Sequence, residues 1–247
     1  MEIESYLKKF ANEYCKCGKE HSFVVSHICI ERGALAKLPS FIDEFKSKKP
    51  FILADKNSFL AAGKTVCEIL ENAGVSYKKY VFETGEIEPD EKAVGSAIVH
   101  FDSTCDLVIA VGSGVINDIG KILANIAKLP YFIVGTAPSM DGYASATSSM
   151  SIDGLKVSLP SKCADVIIGD IEILKNAPMK MLQSGLGDML AKYISIAEWR
   201  IANEIAGEYY CERVADLIRV ALKRCVDNAN GLLNRDEEAV KAVFEVL

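Results

Sequence analysis

Apolar and polar positions alternate in blocks along the first two thirds of the chain. Runs that are apolar throughout stand at Phe51–Ala54, Leu107–Val111 and Tyr131–Val134, with a more mixed one at Tyr77–Phe82. Between them lie longer segments, 34–45, 57–72, 91–101 and 116–127, where apolar residues recur at helical spacing. Short runs apolar on both faces, separated by amphipathic segments, predict parallel strands joined by crossover helices. A first strand is expected over Ser22–Ile28, and a short helix with a polar turn at Cys17-Gly18-Lys19 within residues 1–20. The fold class is therefore α/β, a doubly wound, Rossmann-like parallel sheet.

The texture changes after Asp141-Gly142. The segment 144–151 is small and hydroxyl-rich, and Ile152-Asp153-Gly154-Leu155 carries the Asp-Gly signal of a hairpin. Lys156–Leu159 would be its return strand, and Val166–Ile168 one more strand. From Ile171 onward the pattern is helical: Met179–Ile205, Glu208–Asn228 and Asp236–Leu247. Gly185 and Gly187 fall inside the first of these. Each costs a helix roughly 1 kcal/mol, so they are expected to interrupt it or to mark a close ligand approach before Asp188. The expected division is an α/β domain over 1–170 and an all-helical region over 171–247.

The chemistry concentrates at Gly112-Ser113-Gly114, between an apolar strand and a helix. Free amides and the macrodipole favour an anion there, and ligands of open α/β sheets sit at strand carboxyl ends. Asn117 stands where the dinucleotide pattern wants a third glycine. Two readings stay open: a nucleotide site, or a tight turn in which Asp118 serves only the first helical turn. Asp55 ends the strand before the 57–72 helix, as a ribose-binding carboxylate or as that helix's cap.

Composition narrows the partners. The chain has 247 residues, half of them hydrophobic, and a formal charge of −6. No basic patch stands out, which argues against nucleic acid. Met1–Phe10 is too polar for a signal peptide, and no apolar run reaches the ~18 to 20 residues of a membrane span. A cytoplasmic, soluble protein is expected. The eight cysteines should be reduced and mostly buried. Cys15-x-Cys17 is the one close pair; it lacks a second pair or nearby ligands at zinc-site spacing, so metal binding is not expected there.

Four segments in order resemble the sn-glycerol-1-phosphate dehydrogenase family: Gly112-Ser-Gly-Val-Ile-Asn-Asp118, Thr136-Ala-Pro-Ser139 with Asp141-Gly142, Ser145, and Gly185-Leu-Gly-Asp-Met-Leu-Ala-Lys192-Tyr193. That family belongs with glycerol dehydrogenase, iron-type alcohol dehydrogenases and dehydroquinate synthase. The resemblance implies NAD(P)H-dependent reduction of dihydroxyacetone phosphate, with one divalent metal, zinc or nickel, and a homo-oligomer when intact. It implies that Asp55 holds the adenosine ribose. Gly114, Val115, Ile116, Asn117 and Asp118 would lie along the pyrophosphate. Thr136, Ala137, Pro138, Ser139 and Ser145 would sit near the nicotinamide. Asp141 would touch the phosphorylated triose, and Asp188 would be the catalytic metal ligand beside it. Taken alone, Asp141 is ordinary turn chemistry and Asp188 an acid on a partly apolar helix face.

The family completes its metal site with two histidines from the helical domain. The histidines here are His21, His27 and His100, and none follows Asp188. The chain is therefore expected to be the front part of such an enzyme, truncated at Leu247. The alternatives are a glycerol dehydrogenase, a dehydroquinate-synthase-like enzyme, or a catalytically inactive nucleotide-binding fragment.

Overall fold

The structure, a computed structural model, describes residues 7–8, 10–11, 13–84 and 86–246. It divides into two compact units. One comprises Val25–Ala137 and Gly142–Ala177; the other comprises the chain up to Val24, Pro138–Asp141 and Pro178–Leu247. The residues before Val25 thus group with the helices, whereas a boundary near 170 would have left them with the sheet.

In the first unit six strands form one sheet. They are β1 (His27–Glu31), β2 (Pro50–Asp55), β3 (Lys78–Phe82), β4 (Leu107–Gly112), β5 (Tyr131–Gly135) and β8 (Val166–Asp170). Their order is β1-β8-β5-β4-β2-β3, and every pair is parallel. All residues of β4, β5 and β8 are buried, which is why those segments read as unbroken apolar runs. The first strand begins later than the expected Ser22. Its ladder opens at His27 opposite Val166, and the amides of Ser26 and His27 donate to the Asp165 carbonyl. The apolar run before it lies outside the ladder, with Val24 63% exposed.

Helices α1 (Leu38–Glu44), α2 (Lys64–Asn72), α3 (Glu91–His100) and α4 (Gly114–Ala127) connect these strands. A Cβ added to Gly120 of α4 would stand 2.9 Å from the Ala110 Cβ of β4 and from a Tyr131 ring carbon. Glycine there lets the helix settle directly on the sheet. The hairpin β6 (Thr147–Ile152) and β7 (Leu155–Pro160) turns at Asp153-Gly154, both with positive φ, as the Asp-Gly signal requires.

The second unit is built on α5 (Met179–Ala206), α6 (Glu212–Leu233) and α7 (Glu237–Phe244). The expected break at Gly185 and Gly187 does not occur: α5 runs unbroken for 28 residues. Leu182, Gly185 and Met189 are its buried positions, spaced to share one face, so packing overrides the weak propensity of glycine. Gly207, with φ 68°, ends α5, and α6 starts at Glu212 rather than Glu208. Among the described residues no helix is long and apolar enough to cross a membrane.

Candidate functional site

The strand order fixes where a ligand can sit in the first unit. From β2 the chain crosses to β3 on one side, while β4 lies on the other. That reversal makes the carboxyl ends of β2 and β4 the general ligand position of doubly wound sheets. Asp55 ends β2 there, and Gly112-Ser113-Gly114 leads out of the adjacent β4.

The glycine turn is tight by necessity. A Cβ on Gly112 would lie 2.5 Å from the Ile116 Cβ. Ser113 is the N-cap of α4, but its side chain makes no cap hydrogen bond. A 14-residue helix thus offers first-turn amides at these strand ends. Ser113, Gly114 and Val115 are partly exposed, whereas Ile116 and Asn117 are buried. The Asn117 amide group donates to the Gly142 carbonyl at 3.2 Å, and its side-chain oxygen accepts from the Tyr131 hydroxyl at 2.9 Å. Asn117, in place of a third glycine, is thus a core tie. Gly120 does the close packing one turn later.

Asp55 caps the helical turn that follows β2. Its Oδ1 accepts from the amides of Asn57 at 2.7 Å and Ser58 at 2.9 Å, and the Ser58 hydroxyl accepts from the Asp55 amide. The capping reading therefore holds, carried by one carboxylate oxygen. At the end of β5 the Thr136 amide donates to the Gly112 carbonyl at 3.0 Å, and the Ala137 carbonyl accepts from the buried Tyr143 hydroxyl.

A residue the sequence reading passed over joins these parts. Lys121 on α4 is fully buried, and its ammonium donates to the Gly142 carbonyl, to Ser145 Oγ at 2.9 Å and to the Thr147 carbonyl at 3.1 Å. It pins the 142–147 segment, and with it Ser145, to the helix. Asp118 Oδ1 lies 3.9 Å from this ammonium. Burial pushes the Asp118 carboxyl up to about 6, opposed by Lys121, and burial lowers Lys121 against the pull of Asp118. The signal was a lysine on the apolar face of an otherwise apolar helix.

In the second unit Asp141 and Asp188 come together. Asp188 Oδ2 accepts from the Asp141 amide at 2.5 Å. Lys192, one turn beyond Asp188 on α5, pairs with the Asp141 carboxylate. Desolvation lowers the pKa of Lys192. A cavity of about 360 Å³ opens here, lined by Asp141, Lys192, Ser195 and Trp199 among others. Pro138 and Ser139 precede Asp141 in the same segment of this unit.

The family model described as iron-containing alcohol dehydrogenase matches residues 29–178, more than half of the chain. The chain belongs to the iron-containing alcohol dehydrogenase family. This is an NAD(P)-dependent, metal-containing enzyme family. One relative is glycerol-1-phosphate dehydrogenase (NAD(P)+) of Bacillus licheniformis, 32% identical over 250 residues that take in 100% of this chain and 62% of that protein. A protein of the same name from Methanosarcina acetivorans is 27% identical over 89% of this chain and 61% of its own. The chain thus spans about three fifths of the length of the curated relatives it matches. Among solved structures, glycerol dehydrogenase from Schizosaccharomyces pombe matches with a TM-score of 0.71 at 20% identity, over 95% of this chain and 64% of that one. Maleylacetate reductase from Rhizobium sp. matches with 0.72 at 16% identity, over 91% and 63%. At these identities the structures share the fold.

The metal of an iron-type alcohol dehydrogenase needs more donors than Asp188 supplies. Among the described residues no group of three His, Cys, Asp or Glu ligand atoms gathers at Asp188. One of its oxygens already takes the Asp141 amide, and the nearby cation Lys192 is paired with Asp141. A single carboxylate does not make the three-ligand site that an open catalytic metal requires. The residues present do not fit a metal at Asp188, and no chemical step is derived through one.

Proposed function

We propose that this chain binds NAD(P)H across the carboxyl ends of β2 and β4 and serves the reduction of dihydroxyacetone phosphate to sn-glycerol 1-phosphate. The observation that carries the reading is the glycine turn at the sheet's switch point, opening α4 with no side-chain cap. The reaction is suggested by the relatives near 30% identity over nearly the whole chain, which bear that dehydrogenase name.

Bound NAD(P)H would supply the hydride; the chain supplies position and charge. The amides of Gly114 and Val115 would hold the pyrophosphate, with α4 favouring the negative charge. Asp55, with Oδ1 committed to capping, would meet the ribose hydroxyls through Oδ2. Thr136 and Ala137, joined to β4 and Tyr143, would flank the nicotinamide, with Pro138 and Ser139 next along the chain. Lys121 would hold Ser145 in place for the same end of the cofactor. Asp141 and Asp188 would orient the triose, and Lys192 is the cation of that group.

The test is calorimetric titration of the chain with NADH and NADPH, beside Gly114→Val. A side chain at Gly114 would obstruct approach to the turn, so affinity should fall by about tenfold or more, 1.4 kcal/mol or greater. Undiminished binding by Gly114→Val would overturn the assignment of the turn.

A further inference from the structure

Three thiols and an imidazole converge in the helical unit, apart from every residue assigned above. Cys15 Sγ lies 3.5 Å from Cys211 Sγ, Cys17 Sγ 3.4 Å from His21 Nε2, and Cys211 Sγ 3.5 Å from the same nitrogen. All four ligand atoms lie within 4.8 Å of one another. A tetrahedral zinc with bonds of ~2.3 Å to sulfur and ~2.05 Å to nitrogen has edges of about 3.8 Å between sulfurs and about 3.6 Å between sulfur and nitrogen. Three of the six separations thus lie within about 0.3 Å of those edges, and the other three are no longer than 4.8 Å. A disulfide between Cys15 and Cys211 would account for two of the side chains and leave Cys17 and His21 unexplained.

The surroundings suit thiolates. Cys211 is the N-cap of the 22-residue α6 and makes no side-chain cap hydrogen bond there, so the helix amides favour a negative sulfur. The Tyr209 hydroxyl donates to Cys17 Sγ at 3.2 Å. Gly18, with φ 79°, turns the chain so that Cys15, Cys17 and His21 face one point, and its amide donates to the Cys15 carbonyl. Cys15 and Cys211 are buried, and Cys17 lies beside an open cavity of about 1060 Å³ that gives a route in.

We propose that Cys15, Cys17, His21 and Cys211 form a closed, structural Cys3His zinc site that fastens the segment before Val24 to the start of α6. Three soft thiolates and one imidazole in tetrahedral array select zinc over the hard cations. All four positions come from the protein, so no place is left for water or substrate. The role is cohesion, and the site is separate from any metal at Asp188.

The whole chain, purified anaerobically and desalted, should retain about one zinc per molecule by mass spectrometry of the metal. Replacing that zinc with cobalt(II) should give tetrahedral d–d bands and a near-ultraviolet thiolate-to-cobalt charge-transfer band. Cys17→Ser and Cys211→Ser should lose most of the zinc on desalting, because each leaves three strong ligands where a closed structural site needs four. Asp188→Asn should keep it. The cobalt spectrum needs no variant, so it decides the matter even if the cysteine variants fail to fold. A cobalt complex without the charge-transfer band would overturn the proposal. So would zinc that survives Cys211→Ser but leaves with Asp188→Asn, or a Cys15–Cys211 disulfide in the anaerobic protein.

Discussion

Each of the two units is held together internally by a different balance of burial and specific ties. In the α/β unit β4, β5 and β8 are buried at every position, and Phe51, Ile109, Phe132 and Ile133 are fully enclosed. In the helical unit the 28-residue α5 buries three positions, while Ile194 is 63% exposed, Ile201 56% and Ile205 82%. Burial there comes chiefly from α6 and α7, which enclose Leu222, Leu232, Val240 and Phe244, and specific ties add to it. Arg213 donates to the Phe10 and Glu13 carbonyls and pairs with the Glu13 carboxylate, Arg224 joins α6 to Glu238 and Glu245, and the Cys3His group closes one end. Burial is non-directional and spread over many residues. Ties are few, and each matters according to its geometry.

The largest effect expected from this contrast is in the sheet. Ile109→Ala should cost about 2 to 5 kcal/mol in chemical denaturation, because a fully enclosed side chain leaves a cavity. Ile201→Ala on the exposed face of α5 should change stability by less than ~0.5 kcal/mol. Equal losses would erase the distinction between the units.

Zinc removal should strike the other unit. Trp199 is the one tryptophan of the chain; its indole donates to the Tyr209 carbonyl, and Tyr209 bonds Cys17. Its fluorescence therefore reports the cluster. A chelator should lower the unfolding midpoint read by Trp199 by the equivalent of about 3 kcal/mol, the linkage value for zinc held at some hundred times its dissociation constant. The NADH titration should be unaffected. A midpoint independent of chelator would remove zinc from the list of ties.

The next test uses pH in the sheet unit. The folded Asp118 carboxyl titrates near 6, raised from 3.8 mainly by burial. A raised acid favours the folded state fully below its unfolded value and loses that advantage as pH rises through about 4 to 6. Stability should therefore fall across this window by on the order of 2 kcal/mol, and Asp118→Asn should flatten the fall. Equilibrium unfolding at a series of pH values measures it, and an unchanged slope in the variant would release Asp118 from this role.

The smallest effect belongs to Asp55. Asp55→Ala should cost about 1 kcal/mol of stability through the lost cap, and should narrow any preference for NADH over NADPH by removing a charge that repels a 2′-phosphate. A cap alone would leave the ratio unchanged.

How far each unit could be read from the chain follows from the same contrast. Apolar runs such as Leu107–Val111 announce a buried strand locally, and Asp153-Gly154 announces its turn. The limits of β1 were misplaced because strand limits are set by the partner, here Val166. Gly185 and Gly187 misled because propensity is local and the packing of Leu182 and Met189 is not. The turn at Gly112 was legible because its parts are contiguous; Lys121 was overlooked because its partners, Gly142 to Thr147, lie 21 to 26 positions away. The Cys3His group was the hardest. His21 stands four residues after Cys17 and could have been weighed, but Cys211 joins from 190 residues away.

The pairing of β1 with β8 has a consequence for how the chain is made. Glu31 ends the earliest of the six sheet strands in chain order, and its neighbour Asp170 emerges from the ribosome 139 residues later (170 − 31). At ~5 to 20 residues per second that is a wait on the order of ten seconds or more. Asp170 then receives the amides of Gly33 and Leu35 and locks the edge. The earliest of the six sheet strands is thus the last that can be seated, and until then its open edge needs protection from other nascent chains.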